Sequence, residues 1–435
     1  MLDRVFRLQE NGTTVQRELL AGLTTFLAMA YIIPTNAAIL SDAGLSFNAV
    51  VMATCFSAFF ATALMALYAN YPFALAPGMG LNAYFAYAVV LGMGVAWETV
   101  LGAVFISGVL FLVLSLSNVR ESIINAVPLP LKHAIAAAIG LFLAFIGLQN
   151  AGIVVASPAT MVTLGDLGAK TTLLSIIGLI ITAVLMAKGV RGSILLGILV
   201  TTIIGIPMGV TKIPETLVAW PSFAAWTPVL GALDIGSALS LGLGTVILAF
   251  FFMDLFDSAG TFIGLAEKAG FLDKEGKLPQ VGKAFISDSV GTIAGSVMGT
   301  STVTTYIESS AGIAEGGRTG LTALTVAGLF LVALFFMPLF AMVPAAATAP
   351  ALVMVGAMMA TSLGKIEWND VTHAFPAFVA LIAMPLTYSI SNGIFLSLIA
   401  YSVLRIATGR ARDTHIIIHI LAALFVLKFI FVGSA

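Results

Sequence analysis

Long unbroken apolar runs, separated by short polar joints, dominate the chain. A transmembrane β-barrel would show segments of about ten residues that alternate in hydrophobicity. Here the runs are continuous and often near twenty residues, which predicts helical spans. Fourteen spans are expected, at 18–40, 46–68, 74–93, 96–117, 131–150, 171–188, 192–209, 237–262, 284–299, 301–314, 319–343, 348–363, 371–387 and 390–407. A further apolar run, 414–433, opens on His415 and His419 and carries Lys428. It reads as a helix lying along the bundle or the interface, with a fifteenth span as the alternative.

The basic residues test this count. With the N-terminus in the cytoplasm, sixteen of the nineteen Lys and Arg fall inside, among them Arg120, Arg191, Lys274 and Lys277. Only Lys170 and Lys212 fall outside, and Lys428 is undecided. That asymmetry follows the positive-inside rule and predicts a multi-pass protein of a bacterial-type inner membrane with both termini cytoplasmic. The segment Met1–Arg17 is polar and has no short apolar core, so no cleavable signal is expected.

Composition narrows the class. The chain has 435 residues, is 60% hydrophobic and only 9% charged, with a mean hydropathy of +1.09. A soluble domain carries about 25% charged residues, so a soluble fold is ruled out. A net charge of −1 argues against a nucleic-acid partner. Cys55, alone, permits neither an internal disulfide nor a cysteine metal cluster. His133, His373, His415 and His419 lie near span ends, away from the buried acids, so neither a metal nor a cofactor is expected.

Two spans are not plain helices. The third holds Asn70-Tyr-Pro-Phe-Ala-Leu-Ala-Pro-Gly-Met-Gly-Leu-Asn82, whose Pro72, Pro77, Gly78 and Gly80 break a helix. The tenth holds Gly299-Thr-Ser-Thr-Val-Thr-Thr-Tyr-Ile-Glu-Ser-Ser310, whose hydroxyl-rich, partly β-branched start favours an extended stretch. They sit seven spans apart, so the two halves have opposite orientation. Interrupted helices at matching places of inverted halves point to a transporter binding site near the midplane. The competing reading is two unrelated kinks.

Three acids, Asp254, Asp257 and Glu308, fall inside spans with no Lys or Arg mid-span to neutralise them. A lone carboxylate there costs about 2.5–3.5 kcal/mol on insertion scales. Such an acid is protonated, hydrated, or paired with a ligand's donors, and it can carry a proton. Asp254, Asp257, Ser258 and Thr261 share one polar stripe on a helix, which also fits helix–helix hydrogen bonding. Thr305-x-x-Glu308 fits a capping box, so Glu308 has a structural reading beside the functional one. Asn82 either bonds a substrate or caps a half-helix. Asp288 reads as structural. Phe26, Phe85 and Phe252 are candidates to stack on a flat ligand. Acceptors and hydroxyls without a cation favour a neutral, flat, hydrogen-bonding heterocycle over an anion.

Four blocks then carry a resemblance: Thr13-Thr-Val-Gln-Arg-Glu through Ala30-Tyr31; Asn70-Tyr-Pro through Leu81-Asn-Ala-Tyr-Phe85; Phe251-Phe-Met-Asp-Leu-Phe-Asp-Ser-Ala-Gly-Thr261; and Ser287-Asp-Ser-Val-Gly-Thr through Ile307-Glu-Ser-Ser-Ala-Gly312. Together they span both halves. The chain resembles the AzgA-like purine permeases of the nucleobase–ascorbate transporter (nucleobase:cation symporter-2) superfamily. The resemblance implies an all-α polytopic fold of 14 segments as a 7+7 inverted repeat, with short antiparallel strands in segments 3 and 10. It implies a cytoplasmic N-terminus at 1–17, a core domain from 18–117 and 210–343, a gate domain from 118–209 and 344–407, and a C-terminal helix at 408–435. It implies a homodimer that imports adenine, guanine or hypoxanthine with protons, by movement of core against gate, and that is not an enzyme. The resemblance carries the family's important residues onto Glu308, Asp257, Asp254 and Asn82; with Ser309 and Phe252 they make the expected substrate set, and Asp257, Asp254 and Glu308 are also expected to couple the proton. An anion or pyrimidine carrier of the same fold, a passive channel, and an intramembrane aspartyl protease are the competing readings. The protease is disfavoured because Asp254 and Asp257 share one helix turn.

Overall fold

In a bilayer an apolar run has no water to bond its backbone, so it closes its own hydrogen bonds as helix. The structure, a computed structural model, describes residues 2–116, 128–190, 192–240, 243–272 and 278–431. Arg120, Arg191, Lys274 and Lys277, and the expected domain boundary at 117–118, lie outside the described residues, as does the side chain of Lys428. The principal elements in chain order are α1 Val15–Met29, α2 Ile32–Asp42, α3 Phe47–Leu64, β1 Leu75–Pro77, α4 Met79–Ala83, α5 Trp97–Leu116 and α6 Leu129–Asn150. A hairpin of β2 Val154–Ser157 and β3 Met161–Leu164 leads to α7 Lys170–Ala187 and α8 Ser193–Gly205. The second half has α9 Gly244–Ala269, α10 Val281–Met298, β4 Val303–Thr305, α11 Ser309–Ala314 and α12 Gly320–Ala333. It ends with α13 Ala345–Ala360, α14 Val371–Leu386, α15 Ile390–Ala407 and α16 Ile416–Phe431.

Among the described residues, eight helical stretches are long and apolar enough to cross a membrane. Four shorter apolar helices, Met79–Gly92, Ser193–Gly205, Val371–Leu386 and Asn392–Ala407, accompany them. The hairpin β2–β3, paired from Val154↔Leu164 to Ser157↔Met161, was not expected from the sequence. Within the apolar run that starts at 414, Ile416–Phe431 form α16, which packs on α15 through stacked Phe395 and Phe425.

The first expected span is broken at Ala30–Tyr31, between α1 and α2. Pro34 explains the break: it has no N–H for the Ala30 carbonyl, and its ring crowds that carbonyl. The Tyr31 carbonyl is served twice instead, by the Thr35 N–H at 3.2 Å and the Thr35 hydroxyl at 2.7 Å.

The two interrupted segments meet as a two-stranded antiparallel ribbon, with Leu75 opposite Thr305, Ala76 opposite Thr304 and Pro77 opposite Val303. Gly78 N–H to Thr302 O and Tyr306 N–H to Ala74 O, both 2.9 Å, extend the ladder at each end. A two-stranded ribbon leaves two open edges, and a buried edge needs partners. Side chains supply them. The Thr62 hydroxyl bonds both the O and the N–H of Leu75, at 2.8 and 2.9 Å. Thr292 donates to Val303 O at 3.0 Å, and Tyr306 donates to Pro77 O at 2.5 Å.

Helix packing falls into two sets. α1 packs on α12, α3 on α10 and α12, and α5 on α9 and α10. Separately, α6 packs on α13 and α14, α13 on α7, and α14 on α15. Small residues allow the closest approaches: a Cβ on Gly356 of α13 would lie 2.3 Å from the Gly140 carbonyl of α6. One acid has a purely structural post that the sequence did not reveal. Glu18, fully buried, accepts the N–H groups of Arg318 at 2.9 Å, Thr319 at 3.3 Å and Thr322 at 3.1 Å, and both threonine hydroxyls. It closes the N-terminus of α12.

Candidate functional site

A cavity of about 120 Å³ opens beside the ribbon. Gly78, Thr304, Thr305, Tyr306 and Glu308 line it from the interrupted segments, Asp257 and Thr261 from α9, Tyr31 from the first break, and Ile139, Val355 and Met359 from α6 and α13. Both packing sets therefore meet at this cavity. Gly78 is required there: a Cβ would sit 2.6 Å from Thr304 Cγ2.

The expected polar stripe of α9 divides in two. Met253, Asp257 and Thr261, four apart, face the cavity. Asp254 and Ser258, also four apart, face α10 and β4. Asp254 is 1% exposed. Its Oδ2 accepts from Thr292 at 2.9 Å, while Oδ1 has no hydrogen-bond partner among the described residues. Asp257 is exposed to the cavity and accepts from Thr304 at 3.4 Å.

Glu308 stands at the N-cap position of α11, yet its side chain makes no capping bond there. The capping box needs Thr305 as the N-cap, but Thr305 closes β4 and its hydroxyl donates to Asp288, so the box does not form. Tyr31 donates to Glu308 Oε1 at 2.5 Å, and both residues line the cavity. A hydrogen bond to a carboxylate is short and strong, and it orients the group.

The remaining expected residues stand back. Asn82 is fully buried inside α4, does not line the cavity and does not cap: Gly78 holds the N-cap position. Neither polar atom of its amide has a partner among the described residues. Ser309 accepts from Ala74 N–H at 3.0 Å and so ties the two interrupted segments together. Phe252 packs edge-on against Phe251 at 5.1 Å, away from the cavity. Phe26 pairs with Phe330 at 5.3 Å, and Phe85 lies in the core. The aromatic residues at the cavity are Tyr31 and Tyr306. Sequence reasoning passed over both, because it sought a stacking phenylalanine. Pro34 three residues after Tyr31, and the hydroxyl run before Tyr306, were the available signals.

Chemically, the cavity offers two carboxylates, threonine and tyrosine hydroxyls, apolar walls, and no Lys or Arg. No ion pair among the described residues involves Asp254, Asp257, Asp288 or Glu308. Such a site accepts hydrogen-bond donors from a neutral or cationic ligand and repels anions. No group of His, Cys, Asp and Glu fit to hold a metal occurs among the described residues.

A family model described as Permease family (Xan_ur_permease) matches residues 16–396. The chain is 44% identical over 434 residues to the adenine permease AdeP of Escherichia coli (strain K12), covering 100% of this chain and 97% of that protein. It is 44% identical over 429 residues to the guanine/hypoxanthine permease PbuO of Bacillus subtilis (strain 168), covering 98% and 99%. Among solved structures, the transmembrane domain of a cyanobacterium bicarbonate transporter, BicA, superposes with a TM-score of 0.65 at 17% identity, covering 88% of this chain and 97% of that one. At that identity the likeness shows a shared fold.

Proposed function

The chain belongs to the permease family (Xan_ur_permease), and from that premise we propose that it carries purine nucleobases across a membrane. It is a multi-pass membrane permease, as its relatives are permeases rather than enzymes. The observation that carries the substrate class is the cavity itself, where Glu308 and Asp257 face an apolar slot that holds no cation. A purine presents ring and exocyclic N–H donors along one edge and flat apolar faces. Glu308, fixed by Tyr31, and Asp257 accept that edge, while Tyr306, Ile139 and Met359 enclose the ring. An anion would meet two carboxylates here, which disfavours the anion reading despite the shared fold with BicA.

The same reading takes 14 segments in a 7+7 inverted repeat, with α1–α5 and α9–α12 moving as a core against α6–α8 and α13–α15 as a gate. The two packing sets and the cavity between them support this. Proton coupling follows from the acids. Carboxylates at membrane depth without a cation are costly unless protonated or engaged by ligand donors, so base and proton enter together. Inner-membrane residence, cytoplasmic termini and a homodimer belong to this proposal as well.

The test is uptake of radiolabelled adenine and hypoxanthine into proteoliposomes under an inward proton gradient. Accumulation that a protonophore collapses and Glu308→Gln abolishes supports the symporter. No uptake of either base by folded, inserted protein overturns the purine assignment.

A further inference from the structure

Asp288 takes no part in the mechanism so far. It lies on α10, is fully buried, and does not line the cavity. Yet an unbroken run of hydroxyls joins it to the cavity. Ser258 donates to Asp288 Oδ2 at 2.6 Å. Ser258 Oγ and Thr304 Oγ1 lie 2.9 Å apart, and either can be the donor. Thr304 reaches Asp257 Oδ2 at 3.4 Å, and both of those residues face the cavity. Thr305 steadies the other Asp288 oxygen at 3.1 Å. Hydroxyls that merely solvated a buried acid would have no reason to continue to an open carboxyl. Each hydroxyl here is both donor and acceptor, so the whole run can reverse its direction.

We propose that the transported proton is stored on Asp288, and that Thr304 and Ser258 relay it there from Asp257. The inference rests on the proton-coupled reading above and assigns its route. Protonated Asp257 gives its proton to Thr304 Oγ1, Thr304 gives its own to Ser258 Oγ, and Ser258 gives its own to Asp288 Oδ2. Three O–H bonds break and three form. One proton moves inward, and Asp257 is left as a carboxylate facing the cavity. Afterwards Asp288 donates to Ser258, Ser258 to Thr304, and Thr304 to Asp257. The result separates two demands on one site: the base meets an ionised Asp257 while its proton rides one layer deeper.

The charged groups around Asp288 favour storage there. Its charged neighbours Asp254 and Asp257 are acids, Glu308 shares the cavity with Asp257, and no Lys or Arg pairs with any of the four among the described residues. Moving the proton from Asp257 to Asp288 leaves the number of carboxylates unchanged, but it neutralises the fully buried acid and leaves the charge on the one that faces the cavity and a ligand's donors.

The test compares Ser258→Ala and Asp288→Asn with the native protein in proteoliposomes. Two readouts are taken: accumulation of labelled adenine driven by a proton gradient, and adenine counterflow at equal pH on both sides. Ser258→Ala removes the link without touching the cavity. With the path cut, its accumulation is expected to fall to the level seen without a proton gradient, while counterflow persists. Asp288→Asn keeps an acceptor for Ser258 and cannot take up the proton. It is expected to lose base-linked proton entry, read with an entrapped pH indicator, and to keep counterflow. Native accumulation in either folded variant overturns the relay. Loss of counterflow together with accumulation, in protein that elutes as a single species, also overturns it, because the residues then serve binding or movement. If Ser258→Ala does not fold, Asp288→Asn decides. Failure of the native protein itself to accumulate base strikes the parent symport reading, and is distinguishable because no variant is involved.

Discussion

Tyr31 holds Glu308: a hydroxyl at the break in the first span donates to a carboxylate 277 positions later, at 2.5 Å. Neither residue is fixed by its own helix, since Tyr31 sits between α1 and α2 and Glu308 precedes α11. The bond therefore sets how Glu308 faces the cavity. Tyr31→Phe keeps the ring and removes the donor. Adenine affinity of detergent-purified protein is expected to weaken about tenfold or more, from a charge-assisted bond of roughly 1.5–3 kcal/mol. An unchanged dissociation constant, measured by calorimetry, would remove Tyr31 from the site.

The divided stripe of α9 makes a second prediction. Asp257 opens to the cavity and Asp254 does not. Asp257→Asn is expected to weaken base binding by about tenfold more than Asp254→Asn, which is again the worth of one charged hydrogen bond. Asp254→Asn acts instead on the Thr292 link that supports β4. Equilibrium binding of labelled adenine to both variants checks the ordering, and equal losses would contradict the geometry.

Gly356 predicts a stability effect remote from the cavity. A methyl group there would lie 2.3 Å from the Gly140 carbonyl, on backbone that cannot swing aside. Gly356→Ala is expected to destabilise by about 1–3 kcal/mol through overpacking. A thermal unfolding scan in detergent checks it, with an unshifted midpoint as the contrary result.

Asp370, outside the spans at the N-cap of α14, predicts a pH dependence. The Thr372 hydroxyl and N–H, and then Arg410 at 2.9 Å, hold its carboxyl well below the usual carboxylate range. A depressed value in the folded state adds stability that is fully present above the unfolded value of about 3.9 and is lost as pH falls below it. Asp370→Asn should therefore melt earlier than the native protein at pH 6, and the gap should narrow as pH drops below 4. Melting curves across that range test it, and a gap that widens on acidification would refute the assignment.

Much of this is legible in the sequence. Apolar runs located the helices because a bilayer leaves an apolar backbone no other structure. Pro72, Pro77 and the hydroxyls before Glu308 marked the two irregular segments, which do pair as strands. The absence of mid-span cations gave the site its acidic character. Spacing alone failed where two faces of one helix lie a residue apart: Asp254 and Asp257 share a stripe on paper but look toward different neighbours. Nor does spacing tell where Asn82 points: it is fully buried in α4, with neither amide atom partnered among the described residues. The partner of a side chain is a tertiary fact, and Tyr31–Glu308 and Glu18–Thr322 were invisible for that reason. The hairpin β2–β3, four residues to a strand, gave too short a signal to read.

The strand pair has a consequence for how the protein is made. The stretch 74–78 finds its ladder partners only at 302–306, where Tyr306 N–H meets Ala74 O and Gly78 N–H meets Thr302 O. A nascent chain that has inserted its first half holds a stretch of backbone with no mate at the depth where water is scarcest. Only Thr62, already in place on the preceding helix, can satisfy part of it in the meantime. The cavity can close into shape only after residues 303–305 have left the ribosome and reached the bilayer. A chain stalled before that point is an incomplete membrane protein with an exposed ribbon edge, open to wrong pairing or to removal by quality-control proteases.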